Sequence, residues 1–221
     1  MKIKWLGHAT FEIQTGNKHI FIDPFITENP KSPIKLDDIT DADLICVTHD
    51  HFDHLGDTIA LSKNTGAPVA CIFELGMHLQ EKGVKVEAMN KGSFTKINDI
   101  LVSLTLAQHS SQFGNPVGIL LNIENKMVYH AGDTSLFKDM ELIRDLYQPT
   151  VAMLPIGGYY TMGPKEAAQA VSFIKPKIVI PIHYGTFPIL EQSPDSFIKE
   201  VEKISPDTKI MILEIGETAT I

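Results

Sequence analysis

The segment Thr48-His49-Asp50-His51-Phe52-Asp53-His54-Leu55-Gly56 limits the fold of this 221-residue chain more than any other. It follows Leu44-Ile45-Cys46-Val47, where every residue is apolar or small. Such a run reads as a strand buried on both faces, which implies a largely parallel sheet covered by helices. A helical stretch is expected after it, to about Lys63. Side chains alternate along an extended run, so His49 and His51 share a side. Asp53 and His54 fall where the chain turns into the helix, so ligand-type side chains converge within one turn of chain. At this chain's own residue frequencies, three His and one Asp at these offsets arise in roughly one such chain in a thousand. Burying such groups together needs compensating charge, which a metal ion supplies.

Three further candidates stand just past strand-like runs. His109 follows Ile100–Ala107, Asp133 follows Met127–His130, and His183 follows Ile178–Ile182. Strand ends are where α/β sheets gather their ligand sites. Imidazole and carboxylate donors suit Zn, Mn, Fe or Ni. Cys46 and Cys71 lie inside apolar runs and read as buried reduced thiols.

Around this centre the chain mixes hairpins with strand–helix–strand units. Lys2–Leu6, Thr10–Gln14 and His19–Asp23 read as strands, with a Gly16-Asn17 turn, and a long loop runs from Pro24 to Asp43. Pro68–Ile72 and Val84–Ala88 are strands flanking a helix that ends near Lys82. Val117–Ile123 and Met127–His130 flank a turn at Asn125-Lys126. Helices are expected over Ser135–Tyr147, Pro164–Ile174 and Ser193–Ile204, the last with Ser193 as N-cap and Pro194 at its first position. Val151–Pro155, Ile178–Ile182, Lys209–Leu213 and Glu217–Ile221 complete the strands. Two helix-covered sheets, or one large mixed sheet, both fit, and no linker divides residues 1–221, so one domain is expected.

The formal charge is −8, and of 19 basic residues only Arg144 is arginine. That balance opposes nucleic-acid binding, which needs a basic stripe. No stretch nears the ~20 apolar residues of a membrane span, and Met1–Trp5 has no apolar leader core. A cytoplasmic protein without membrane contact is expected, acting on a small molecule; a homo-oligomer is compatible with this.

The chain resembles the metallo-β-lactamase-fold hydrolase superfamily over nearly its whole length. His-x-His-x-Asp-His at 49–54, then His109, Asp133 and His183, match the superfamily's order of metal ligands. Gly7-His8-Ala9-Thr10-Phe11, Asp23-Pro24-Phe25, Tyr129–Thr134 and His183-Tyr184-Gly185-Thr186 are similar to a branch of metal-dependent hydrolases related to the ascorbate-6-phosphate lactonases. The resemblance implies an α/β fold, the four-layer αββα sandwich of two mixed β-sheets flanked by helices. It implies two divalent ions, zinc as first expectation, manganese next, with nickel or iron also compatible. His49, His51 and His109 would hold one, Asp53, His54 and His183 the other, and Asp133 would bridge.

Two such ions bring +4, Asp53 and Asp133 −2 and a bridging hydroxide −1. The site would then be locally +1 in an acidic protein. The implied activity is hydrolysis of an ester, lactone, phosphodiester or amide bond in a small substrate. Asp133 would orient the nucleophile and Asp53 relay its proton. His8 reads as proton donor, substrate contact or polar turn residue. Asp23 reads as a carboxylate orienting a ligand histidine, or as a turn residue before Pro24. His130 is expected to be packed, and His19 and His78 structural or exposed. Tyr159, Tyr160 and Tyr184 are candidate substrate contacts, with the loops Phe25–Asp38 and Gly157–Gly163 as pocket walls. At 221 residues the added domains of glyoxalase II-like thioesterases or RNA-processing nucleases are not expected. Flavodiiron-type reductases would carry Glu where His51 stands, and a single-iron dioxygenase needs fewer ligands. Two alternatives remain: a lactonase for a sugar-lactone phosphate, and a metal-binding or sensor protein without catalysis.

Overall fold

In the computed structural model, which describes residues 1–221, the first sheet begins with strict alternation. Ile3 and Trp5 in β1 (Lys2–Trp5) and Phe11 and Ile13 in β2 (Phe11–Thr15) are buried between more exposed polar neighbours. The pattern changes after β3 (Lys18–Ile22). Every residue of β4 (Leu44–Cys46) and β5 (Val69–Ile72) is buried, and β6 (Val86–Met89) closes that edge. The change coincides with a switch in pairing. β1, β2 and β3 pair antiparallel, whereas β3–β4, β4–β5 and β5–β6 are parallel. Parallel strands need crossovers, and these cover the outer face. They are α1 (Phe52–Leu55), α2 (Thr58–Thr65) and α3 (Phe73–Glu81).

The second sheet repeats this plan. β7 (Thr95–Ile97), β8 (Ile100–Leu106), β9 (Val117–Ile123) and β10 (Lys126–His130) are antiparallel neighbours. β11 (Val151–Pro155), β12 (Ile178–Ile182) and β13 (Lys209–Ile210) then add in parallel. Their crossovers are α4 (Met140–Tyr147), α5 (Pro164–Ile174) and α6 (Asp195–Ile204). β14 (Thr218–Thr220) returns to the first sheet beside β1. The orders are β14-β1-β2-β3-β4-β5-β6 and β13-β12-β11-β10-β9-β8-β7. Two mixed sheets flanked by helices make an αββα sandwich. Its apolar side chains form a cluster of 58 buried residues drawn from both sheets, so the two halves share one core.

Several sequence expectations shift. β7 was not anticipated, because only Ile97 of its residues is buried. Its signal was the turn: Asn98 and Asp99 both take positive φ between the paired Ile97 and Ile100, as a two-residue hairpin requires. The β9–β10 turn falls on Glu124-Asn125, one residue earlier than expected. The helix expected from Ser135 starts at Met140, because Ser135 N–H instead donates to Gln108 O at 3.0 Å. Pro194, not Ser193, is the N-cap of α6, and the Ser193 hydroxyl accepts from Asp195 N–H at 3.3 Å. The stretch after β4 is two helices broken at Gly56, where a Cβ would meet Pro24 O at 2.6 Å.

No helix is long and apolar enough to cross a membrane. Cys46 and Cys71 are buried and unpaired.

Candidate metal centre

The pairing directions decide where the chemistry collects. β1, β3 and β4 run one way in the first sheet, and β8, β10 and β12 share a direction in the second. His8 follows β1, Asp23 follows β3, and His49 to His54 follow β4. His109 follows β8, Asp133 follows β10 and His183 follows β12. All of these groups therefore emerge at C-terminal strand ends. His8, Asp23 and His183 leave their strands at φ of 56°, 46° and 58°. L-residues adopt this left-handed region only at a cost, and the surrounding structure must hold them there. His183 N–H donates to His8 O at 3.0 Å, and so does the Trp5 indole N–H.

The donors form three overlapping groups. In one, the Nε2 atoms of His49 and His109 stand 3.0 and 3.3 Å from His51 Nδ1. In another, His8, Asp53, His54 and His183 offer donor atoms all within 4.8 Å of one another. His49, His54 and Asp133 make up the third and join the other two. Asp133 Oδ1 is 3.2 Å from His54 Nε2, and its Oδ2 is 3.2 Å from His183 Nε2 and 3.6 Å from His109 Nε2. His8 Nε2 is 3.0 Å from Asp53 Oδ2. Asp23 is fully buried outside the ring of donors: Oδ2 lies 2.7 Å from His54 Nδ1 and accepts from Thr48 Oγ1 at 2.7 Å, while Oδ1 accepts from Thr48 N–H at 2.8 Å.

Burial and charge polarise this cluster. Burial opposes a proton on His54, but the Asp133 and Asp23 carboxylates outweigh it and hold its pKa well above the usual value. Burial would raise Asp133, yet His183 and His54 hold it well below the carboxylate range. Burial, then His54, keeps His49 well below the ordinary histidine value. Burial and the neighbouring His183 push His8 down to about 4.

The residues present fit a metal. His54 Nε2, His183 Nε2 and Asp133 Oδ1 are buried with no hydrogen-bond partner, although ion-pair neighbours stand close by in unsuitable orientations. Each such orphan costs about 1–3 kcal/mol of desolvation. A cation among them would satisfy all three, and the imidazole–carboxylate donor set suits a borderline divalent ion.

A family model described as the beta-lactamase superfamily domain matches residues 2–183. A UPF0173 metal-dependent hydrolase of Caldivirga maquilingensis is 49% identical over 218 residues, covering 97% of this chain and 96% of its own. The chain belongs to the metallo-β-lactamase-fold metal-dependent hydrolases. One from Staphylothermus marinus is 50% identical over 225 residues, with 99% and 98% covered. The structure of Igni18, a metallo hydrolase from Ignicoccus hospitalis, matches with a TM-score of 0.92 at 39% identity, covering 99% of this chain and 97% of that one. The protein is thus a metal-dependent hydrolase.

Five of the hydrolase's donors, His51, Asp53, His109, Asp133 and His183, line a cavity of about 420 Å³ whose other walls are Phe52, Ser110 and Tyr160. Phe52, 61% exposed between two donor residues, also borders a second cavity of about 440 Å³ with Phe25 and Leu55. The ring of Phe52 packs 5.8 Å from Phe25 and 6.4 Å from Phe187. A larger cavity of about 700 Å³ near α5 and α6 is lined by surface charges such as Lys165 and Lys199 and holds none of the donor residues.

Two expected substrate contacts lie elsewhere. Tyr184 is buried against Trp5, rings 5.4 Å apart, because the left-handed turn at His183 sends the next side chain into the core. Tyr159 is outside the cavity wall, exposed, with its ring 4.7 Å from that of Tyr160. Of the loop Phe25–Asp38, Phe25, Thr27 and Glu28 line the second cavity, and no residue of it lines the donor cavity. His130 is fully buried: Nε2 faces Ala9 O at 2.9 Å, and Nδ1 accepts from Gly132 N–H at 3.1 Å. His19 faces Glu12 at 2.8 Å, and His78 stacks on Phe113. Sequence reasoning missed Phe52 and Ser110, since nothing but contact with the cavity distinguishes them.

Proposed function

We propose that His49, His51 and His109 hold one divalent cation and Asp53, His54 and His183 a second, with Asp133 serving both. Zinc is the first candidate, then manganese, nickel or iron. Bound there, such ions would lower the pKa of water towards ~7 and polarise the bond to be cleaved. The observation that carries this reading is the convergence of buried donor atoms, His54 Nε2, His183 Nε2 and Asp133 Oδ1 without a hydrogen bond, beside the nitrogens of His49, His51 and His109.

The chain's own groups divide the remaining work. Asp23 accepts from His54 Nδ1 and so aims its Nε2 at Asp133, 3.2 Å from Oδ1, where a cation would be held. Asp53, 3.0 Å from His8 Nε2, is the acceptor for the proton of the attacking water, and His8 steadies its carboxylate. Phe52 and Tyr160 exclude water beside the donors and offer an apolar seat.

The substrate that fits is a small, uncharged ester, lactone or amide. No Lys or Arg lines the donor cavity or its neighbour. Arg144 sits on α4, its Nε 2.7 Å from Asp145. A sugar-lactone phosphate would lack the cationic anchor that phosphate recognition ordinarily uses. We place the enzyme in the cytoplasm, acting without nucleic acid or membrane.

The test is metal analysis of the purified protein, then a panel of esters, lactones, amides and phosphodiesters on metal-reconstituted enzyme. About two equivalents of metal and turnover of a neutral carbonyl substrate are expected. Asp133→Ala should lose metal and activity together. Full activity in a metal-poor Asp133→Ala protein would overturn the assignment, and metal binding without turnover of any member would favour the non-catalytic reading.

A further inference from the structure

The three-histidine group is assembled from both sheets. His49 and His51 follow β4 in the first, and His109 leaves β8 in the second. Their nitrogens meet only if the two loops are held together. Asp50, between His49 and His51, spans that gap. Its Oδ1 accepts from Ser111 Oγ at 2.8 Å and Gln112 N–H at 2.9 Å. Its Oδ2 accepts from Phe113 N–H at 2.9 Å and again from Gln112 N–H at 3.2 Å. A carboxylate accepting several donors at once makes strong, directional, charge-assisted bonds. Alternation along the extended run sends Asp50 away from its histidine neighbours: it borders the second cavity, and His51 borders the donor cavity. The far end of the tethered loop is held as well, since Phe113 stacks on His78 of α3 at 4.0 Å.

We propose that Asp50 is a positioning residue for the three-histidine group. Its hydrogen bonds go to Ser111, Gln112 and Phe113 rather than to a donor nitrogen, and it does not line the donor cavity. It sets the distance of His109 from His49 and His51 by clamping residues 111–113 to the β4 loop. This rests on the reading of that group as one of two cation sites.

The test uses the full-length protein stripped of metal and titrated with Co²⁺, followed by visible absorption, with Zn²⁺ affinity measured against a competing chelator. Wild type, Asp50→Asn, Ser111→Ala and His109→Ala are compared. Asn keeps the shape of the side chain but turns an amide donor towards the backbone N–H groups of Gln112 and Phe113. Asp50→Asn is expected to weaken one of the two equivalents by about 10–100-fold and to leave the other at its wild-type affinity. The weakened equivalent should have the Co²⁺ absorption band that His109→Ala removes. Ser111→Ala, which deletes a single clamp bond, should move the same equivalent in the same direction by less, and it serves alone if Asp50→Asn does not fold. Unchanged affinities in both variants would overturn the proposal, as would equal weakening of both equivalents. A wild type that binds only one equivalent would instead refute the two-cation reading; Asp50 is then judged on whether that equivalent weakens.

Discussion

Gly157 follows β11, where the chain passes directly over the backbone of His183. A Cβ on Gly157 would stand 2.0 Å from His183 O and 3.1 Å from its Nδ1. Non-bonded heavy atoms settle at about 3.5 Å or more, so the two backbones would have to part by over ~1 Å. Neither is free to yield. Ile156 N–H donates to Ile182 O at 3.0 Å, Gly157 O accepts from Glu191 N–H at 2.9 Å, and His183 N–H is held by His8 O at 3.0 Å. Overpacking of this kind costs about 1–3 kcal/mol. In a domain of this size that is about 2–12 °C in melting temperature. The larger effect is expected at the site, because a displacement of about 1 Å in a reacting group costs on the order of 100-fold. Gly157→Ala should therefore fold, melt lower, and lose metal affinity and activity through His183. Gly163→Ala, in the same loop, is the control: its Cβ meets only the Glu166 Oε2 tip at 3.0 Å, which can swing aside. Thermal melts and chelator competition on both variants decide the matter. A Gly157→Ala protein with wild-type melting and metal affinity would refute the argument.

Asp23→Asn should keep the fold, since Asn tolerates the left-handed φ of 46° at this position. It removes the charge facing His54 and should lower metal affinity by about 10–100-fold; equal affinity would detach Asp23 from the centre. Burial, first among its causes, holds the His130 pKa below the ordinary value. His130 is therefore neutral when folded but gains a proton in the unfolded chain below about pH 6.5. Stability of the metal-free protein should be full above that pH and fall as pH drops, by at most ~1.4 kcal/mol per pH unit from this group. Denaturation at pH 7.5, 6 and 5 should show a shallower slope in His130→Gln, and an unaltered slope would refute the role. Stripping metal with a chelator should abolish hydrolysis and lower the melting temperature, since a ligand at 100 times its Kd adds about 2.7 kcal/mol. Activity that survives complete removal would exclude a metal-based reaction.

Much of the architecture is local physics. The shift from alternating burial in β1 and β2 to complete burial in β4 and β5 is written in the residue pattern, and it tracks the switch from antiparallel to parallel pairing. The donors at His49, His51, Asp53 and His54 were legible because a spacing within one turn of chain needs no long-range information. His109, Asp133 and His183 were legible only as polar residues past strand ends, joined to the others by resemblance. β7 was hidden because an edge strand with one buried residue has almost no apolar signal.

By itself, the sequence determined which residue types could bind metal and that they would stand at the ends of buried strands. It also fixed an acidic net charge of −8, since charge is a property of residues one at a time. Only the tertiary structure decided which side of each loop faces the cavity. It buried Tyr184 on Trp5, placed Phe52 between two cavities, and set Asp50 as a clamp across the sheets. Those outcomes depend on contacts between segments distant in sequence: Asp50 with residues 111–113, Tyr184 with Trp5 after the left-handed turn at His183, and Gly157 close against His183. Such contacts join residues far apart in the chain, and spacing along the chain holds no record of them.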